Sequence, residues 1–526
     1  MERISAGKEE IMKTKLRKTE ESCLSVWVRN FLTAIMLGLP LIVTNAYFNI
    51  TETKYVYYIV CAVFLIVPCL SYVFKDLKKA KEKGEIPNRK EGFTTIDWTV
   101  TAFGVSVLAS ALFSSHPADA FLGLTARYQG AVTVAVYILV YYIVSRNYSL
   151  RQNYLFFAVA AFCIVSILGV LNCFDIDPLG FYNNLRSDYK TIFVSTIGNI
   201  NFYSAYFCLL FPLVICGYSL TKKKVSRVVY SFALVTGTFG MMVTASESFA
   251  VGFCISMLII PLFFFSDRKK ILYFLQSVAI ITVASQLFNF VYDKAEATNI
   301  TLSKAITVFL RPEISVTVLI LSIVLYIVIH LFPDKLKLFE KMYIALLILL
   351  VLAGATLFAL SNTVGLGRLD SYLRLTGDWG TYRGTIWRFC LRAYREFSVK
   401  DLLFGIGPEC LQHLNFESAV FGNKAIDQAH NEYVQYIMTT GIFGIVSYAG
   451  IIFATALTVI KKLRYSTLAV GLFAGLTAYW IQAAVNLAQP FTTPIMYLYI
   501  AAIGGMWIQE KRTYHCKDKK EATALN

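Results

Sequence analysis

Apolar stretches of about twenty residues return repeatedly between Trp27 and Gln509, each long enough to cross ~30 Å of hydrocarbon as a helix. Backbone groups in that layer find no water, so segments of this length and composition close their hydrogen bonds within helices. The runs place about fourteen spans, near 31–48, 55–74, 96–113, 129–145, 153–172, 201–219, 228–245, 248–265, 271–291, 314–332, 342–360, 436–460, 467–486 and 494–509. A mean hydropathy of +0.58 with 16% charged residues leaves no room for a sizeable soluble domain. The expected class is an all-α polytopic membrane protein with about 12–14 transmembrane helices and one large extracytoplasmic loop.

The net charge of +16 would suit a nucleic-acid binder if it formed a patch. Instead the lysines gather in alternate loops, such as "KDLKKAKEKGEIPNRK", "TKKKVSR", "PDKLKLFEK" and "KKLRY", where basic residues fix membrane orientation. Those loops share a side if both termini are cytoplasmic, so nucleic acid is not an expected partner and membrane lipid is. The charged segment 1–30 shows no small-residue cleavage site and reads as an uncleaved cytoplasmic N-terminus. The expected order is therefore 1–30 cytoplasmic, 31–360 transmembrane, 361–432 extracytoplasmic loop, 433–510 transmembrane and 511–526 cytoplasmic tail. Most of the eleven cysteines lie inside apolar spans with no CxxC pair, and no His/Asp/Glu cluster has ligand spacing, so neither a disulfide framework nor a metal site is expected.

Loops as long as 361–432 inside a compact protein are usually functional. From Arg368 to Arg395 this one carries six arginines and no lysine. A point charge suffices for topology, whereas a planar guanidinium holds phosphate or carboxylate oxygens two at a time. In "TYRGTIWRFCLRAYREF" helical spacing puts Arg383, Trp387, Cys390 and Tyr394 on one face and Arg388, Arg392 and Arg395 roughly opposite. The outward arginines fit anionic headgroups. Arg383, on the aromatic face, needs either a ligand anion or an ion pair with Asp378 or Asp370.

The loop ends in "DQAHNEYVQYIMTTG". Asp427 is a plausible N-cap, which puts His430 in the first helical turn with Gly441 three turns below, where the chain can pack closely. A helix N-terminus attracts anions and disfavours imidazolium, so a neutral His430 beside a bound phosphate can take a proton from a hydroxyl. It can equally cap the helix or meet headgroups. His413 is a weaker candidate in the same loop, and His116 reads as a turn residue before Pro117.

"HNEYVQYIMTTG", preceded by "RGTIW" and "LLFGIGPE", resembles the signature of the O-antigen ligase and O-antigen polymerase superfamily within 361–460. Weaker echoes lie in "TARYQGAVT" and "TIGNINFYSAY", while Glu247 and Ser248 stand where many members carry a basic residue beside a serine. The resemblance implies a C-type glycosyltransferase architecture in the bacterial cytoplasmic membrane. It implies a cofactor-free, metal-independent, inverting transfer of glycan from a polyprenyl-pyrophosphate donor to a hydroxyl of a glycan, lipid or protein acceptor. His430 would be catalytic; Arg383, Arg127 and Arg388 would hold the donor with Asn431 and Trp387, Arg127 replacing the cation missing near Glu247. The competing class is a flippase for lipid-linked oligosaccharides, which would place ionisable residues along a central cavity between approximate halves.

Overall fold

The computed structural model describes residues 23–82, 92–147, 153–295, 298–377, 379–414 and 426–524. Residues 1–22 of the expected N-terminal segment, part of the basic loops at 83–91 and 148–152, and Asp378 lie outside them. A helix stands at each of the fourteen expected spans. Among the described residues twelve helices are long and apolar enough to cross a membrane. The other two positions hold Ala131–Asn147, apolar but shorter, and the long C-terminal helix Thr493–Ala524. This is a multi-pass, all-helical membrane protein with a single two-residue strand pair, Phe193–Val194 against Gly198–Asn199, among the described residues.

The first span begins earlier than hydropathy suggests: Cys23–Leu41 forms one helical run through a π-helical stretch at Ala34–Gly38, where 31–48 was expected. The reason is long-range. Buried Lys54 donates to the carbonyls of Leu39 (2.9 Å), Pro40 (3.0 Å) and Ile42 (3.2 Å), satisfying the freed acceptors that end this helix.

Burial sorts the remaining spans into centre and edge. Ile200–Leu220 and Thr467–Val485 are 83% and 78% buried and form the middle of the bundle. Pro312–Leu331 and Pro333–Thr363, at 17% and 6%, present their sides outward, as lipid-facing helices do. Asp97 is paired: it closes a capping box with Thr94 and takes two Arg146 bonds of 2.9 Å.

One helix is broken, and the break positions the site. Glu432–Lys462 contains Gly441 at φ 64° and ψ −166°. The turn after Val399–Phe404 docks there: the N–H groups of Ile406 and Gly407 donate to Met438 O (3.1 Å) and Thr439 O (3.0 Å), while Ser110 Oγ donates to Thr439 O at 2.5 Å. A Cβ on Gly405, at φ 76°, would collide with the Thr439 backbone, and one on Gly441 with that of Leu403. The glycine expected to allow close packing below the histidine thus receives the long loop before its helix, and the interrupted backbone regains its partners from that loop.

Candidate active site

The helix that carries the signature starts later than its sequence suggests. Asn431, not Asp427, is the N-cap: its Oδ1 accepts from the N–H groups of Tyr433 (2.9 Å) and Val434 (3.1 Å), and the helix begins at Glu432. Asp427 is drawn away by Arg127, whose Nε donates to Oδ2 at 2.8 Å. His430 therefore stands just outside the helix, in the left-handed region at φ 49°, a conformation in which histidine is enriched but which still costs energy. Its neighbour is clamped on both sides. Trp387 Nε1 donates to Ala429 O at 3.0 Å, and Ala429 N–H donates to Gln435 Oε1 at 2.8 Å. Among the described residues nothing hydrogen-bonds the half-buried imidazole itself.

Burial, then the nearby Arg383 and Arg127, push the His430 imidazole down to about 4, against an opposing pull from Asp427. At neutral pH it is uncharged and has a free lone pair.

Arg383 lies half-buried in the first regular turn of Trp379–Arg395, after left-handed Gly380 and Tyr382. Gly384 of "RGTIW" has to lack a Cβ because Thr376 O occupies the place, and Thr385 N–H binds Gly377 O at 3.0 Å; together they fix the start of this turn. The guanidinium donates Nη1 to Gly380 O at 2.7 Å, while its Nε is buried without a partner among the described residues. Asp370 is not its counter-ion: that carboxylate accepts from Ser361 Oγ and Leu366 N–H, both at 2.7 Å. Burial holds the guanidinium below the usual arginine range. The helix's other face behaves as its spacing predicts. Arg388 is exposed, about 140° around the helix from Arg383, and stands outside the constellation.

Of the six expected site residues, the fold thus brings Arg383 and Arg127 within electrostatic reach of His430, with Trp387 bonding its neighbour Ala429 and Asn431 capping the helix that follows. His413 is committed elsewhere, 2.8 Å from Asp119 and stacked on His116 with ring centroids 3.5 Å apart. Glu247 uses its carboxylate to accept from Ala305 N–H at 3.1 Å, at the start of Lys304–Leu310.

Two carboxylates escaped the sequence reading. Glu409, in a left-handed conformation just after the Gly405–Gly407 turn, and Glu432 both line a cavity of about 30 Å³ beside His430, room for one or two waters. Glu432 is buried and accepts from Tyr479 (2.7 Å) and Tyr448 (3.0 Å) hydroxyls, the partners an ionisable group at a membrane helix's first turn requires. The signal for it was present, a carboxylate directly after the His-Asn pair. Glu409 Oε1 accepts from Gln428 Nε2 at 3.1 Å; its Oε2 has no partner among the described residues. Burial pushes this carboxyl up to about 7, opposed by the Gln428 bond and Arg127.

That shift predicts a pH effect. A raised carboxyl gives stability that is fully present below its unfolded value of 4.5 and lost as pH rises through about 7, of order 3 kcal/mol across the window. Glu409→Gln keeps the Gln428 contact and removes the charge. Its thermal midpoint in detergent is expected to exceed that of wild type at pH 8 and to match it near pH 4.5; an equal difference at both values would refute the assignment.

The ordered elements around His430 coincide with a family-level match. Residues 300–449 match the family model described as O-Antigen ligase. This region, under a third of the chain, resembles the O-antigen ligase family. The ligase region holds Arg383, Trp387, Glu409 and His430, while Arg127 reaches the site from outside it through Asp427. No curated protein matches the chain. The match supports an activity of ligase or glycosyl-transfer type, with a lipid-linked glycan donor and an acceptor.

Proposed function

We propose that the chain transfers glycan from a polyprenyl-pyrophosphate donor to a hydroxyl acceptor at the outer face of the bacterial cytoplasmic membrane. One observation carries this reading: among the described residues His430, uncharged and without a hydrogen-bond partner, is held in a strained conformation within reach of Arg127 and Arg383, and Arg383 has no carboxylate partner. Two cations around a lone-pair donor suit a reaction that gathers negative charge on a leaving group while a proton departs.

The acceptor hydroxyl oxygen attacks the anomeric carbon, and the carbon–oxygen bond to the pyrophosphate breaks with its electron pair moving to the departing oxygen. Arg383 and Arg127 balance that charge, so no metal is required. The hydroxyl proton passes to the imidazole. An imidazole at about 4 is a weak base in the empty site, but a pyrophosphate beside it favours imidazolium and raises its basicity when the donor is bound. In-line displacement inverts the anomeric centre. Trp387 and Asn431 act through the backbone that aims His430, and exposed Arg388 with Tyr382 offers contacts to the glycan beyond the pyrophosphate. The even set of helices and the lysine-rich alternate loops support cytoplasmic termini and an outer site.

The test is turnover in nanodiscs of a synthetic polyprenyl-pyrophosphate oligosaccharide with an acceptor glycan, read by mass and by the configuration of the new linkage. A new inverted linkage, formed equally with chelator, is expected. Retention would sink the single displacement, and loss with chelator would sink the metal-free step. Movement of intact donor across vesicles without bond cleavage would replace the transferase by a flippase.

A further inference from the structure

The end of the bundle opposite His430 holds a second site. Glu432–Lys462 starts beside the histidine, and the residues just beyond its far end, Tyr465–Leu468, line a cavity of about 870 Å³. The unbroken part after Gly441, Ile442–Lys462, spans about 30 Å on its own, the thickness of the hydrocarbon layer, so the two sites lie at opposite membrane faces. The cavity's rim is basic. Lys222, Lys224, Arg227, Lys269 and Lys270 line it against one acid, Asp267, which is occupied in capping the Lys269 N–H at 2.9 Å. Three helices also begin here, Lys224–Met242, Arg268–Lys294 and Thr467–Gln482, each adding the positive end of its dipole.

Two buried polar groups in this cavity lack a partner among the described residues: Ser219 Oγ, on a residue 9% exposed, and Arg227 Nε. Arg227 is otherwise fixed, donating to Thr221 O at 3.1 Å and lying 4.2 Å over the Tyr273 ring, and Lys270 donates to Tyr465 O at 2.8 Å. Such a pre-built, partly unsatisfied cluster fits a phosphate. Leu213, Leu468, Leu472 and Leu498 add an apolar part to the lining. A second apolar groove of about 190 Å³ shares Leu155, Leu220 and Thr221 with the cavity and runs past Phe156, Val159 and Val225 on the bundle's outer side. A charged pocket with an apolar part of its own and an adjoining apolar groove matches one phosphate and two acyl chains.

We infer that this cavity binds an anionic phospholipid of the leaflet opposite the His430 site, its phosphate among Lys224, Arg227 and Lys269 and its chains along the cavity's leucines and the adjoining groove. This binding ties the N-terminal span, through Leu32 and Met36, to the central helices, so the lipid stabilises the bundle. It is independent of the reaction proposed at His430.

The test uses the full chain in a non-ionic detergent, titrated with dioleoylphosphatidylglycerol, dioleoylphosphatidylcholine, undecaprenyl phosphate or inorganic phosphate, with thermal midpoint and native mass spectra as readouts. Saturable binding and a raised midpoint are expected with phosphatidylglycerol, with little response to phosphatidylcholine or inorganic phosphate. The double variant Lys224→Gln/Lys269→Gln is expected to weaken that binding at least about tenfold, since each cation at a membrane surface contributes on this scale. Lys337→Gln/Lys341→Gln, exposed lysines outside the cavity, removes the same charge and is expected to leave binding intact. An equal response to phosphatidylcholine, a full response to inorganic phosphate, tighter capture of undecaprenyl phosphate, or equal losses in the two double variants would each overturn the assignment.

Discussion

Replacing His430 with asparagine is expected to lower kcat for glycan transfer by about 10²–10⁴-fold in a protein that still folds. Asparagine is the informative substitute because His430 sits at φ 49°, and asparagine is among the few residues that enter that region readily. Its amide can hydrogen-bond a hydroxyl but cannot take its proton. The clamps on Ala429 belong to Trp387 and Gln435, so the loop keeps its position when the imidazole goes. Unchanged gel-filtration and thermal midpoint with collapsed turnover would assign the proton transfer to His430; kcat within about fivefold of wild type would remove it from the chemistry. In that case Glu409, whose carboxyl titrates near 7 in the adjoining cavity, becomes the better-matched base.

The spans were legible because length and apolarity largely decide membrane helices: all fourteen expected positions carry a helix, and among the described residues twelve are long and apolar enough to cross. What local pattern could not show is competition from far along the chain. Asp427 and Asn431 are both good caps, and the choice falls to Asn431 because Arg127, 300 positions away, claims the aspartate. Lys54 shifts the end of the first span for the same reason, binding carbonyls that a hydropathy window does not see. Glu409 reads as an ordinary loop acid until the turn before it docks on the broken helix and buries it beside Gln428. Gly441 was readable in kind, as a point of close packing, but its partner, the backbone from Leu403 to Gly405, is a tertiary fact.

Arg383→Gln separates a structural from a chemical role by the sign of two effects. A guanidinium that is half-buried without a carboxylate partner among the described residues carries a desolvation cost that an uncharged amide avoids. The thermal midpoint of the variant is therefore expected to hold or rise. Transfer is expected to fall by about 10²–10³-fold, the scale for removing one preorganised donor to a developing anion, with Arg383→Lys recovering only part of it because a point charge lacks the bidentate fork. A third readout ties the residue to His430. Burial is the first cause of the low imidazole value and Arg383 the second, so removing the arginine lets His430 titrate above about 4, though still below its ordinary 6.5. The free-enzyme profile, kcat/KM against pH, should then lose activity on its acid side at a higher pH than wild type does. A destabilised variant with an unmoved acid limb would make Arg383 a packing residue, whereas a stable, slow variant with a raised limb fits a cation that faces the donor's pyrophosphate.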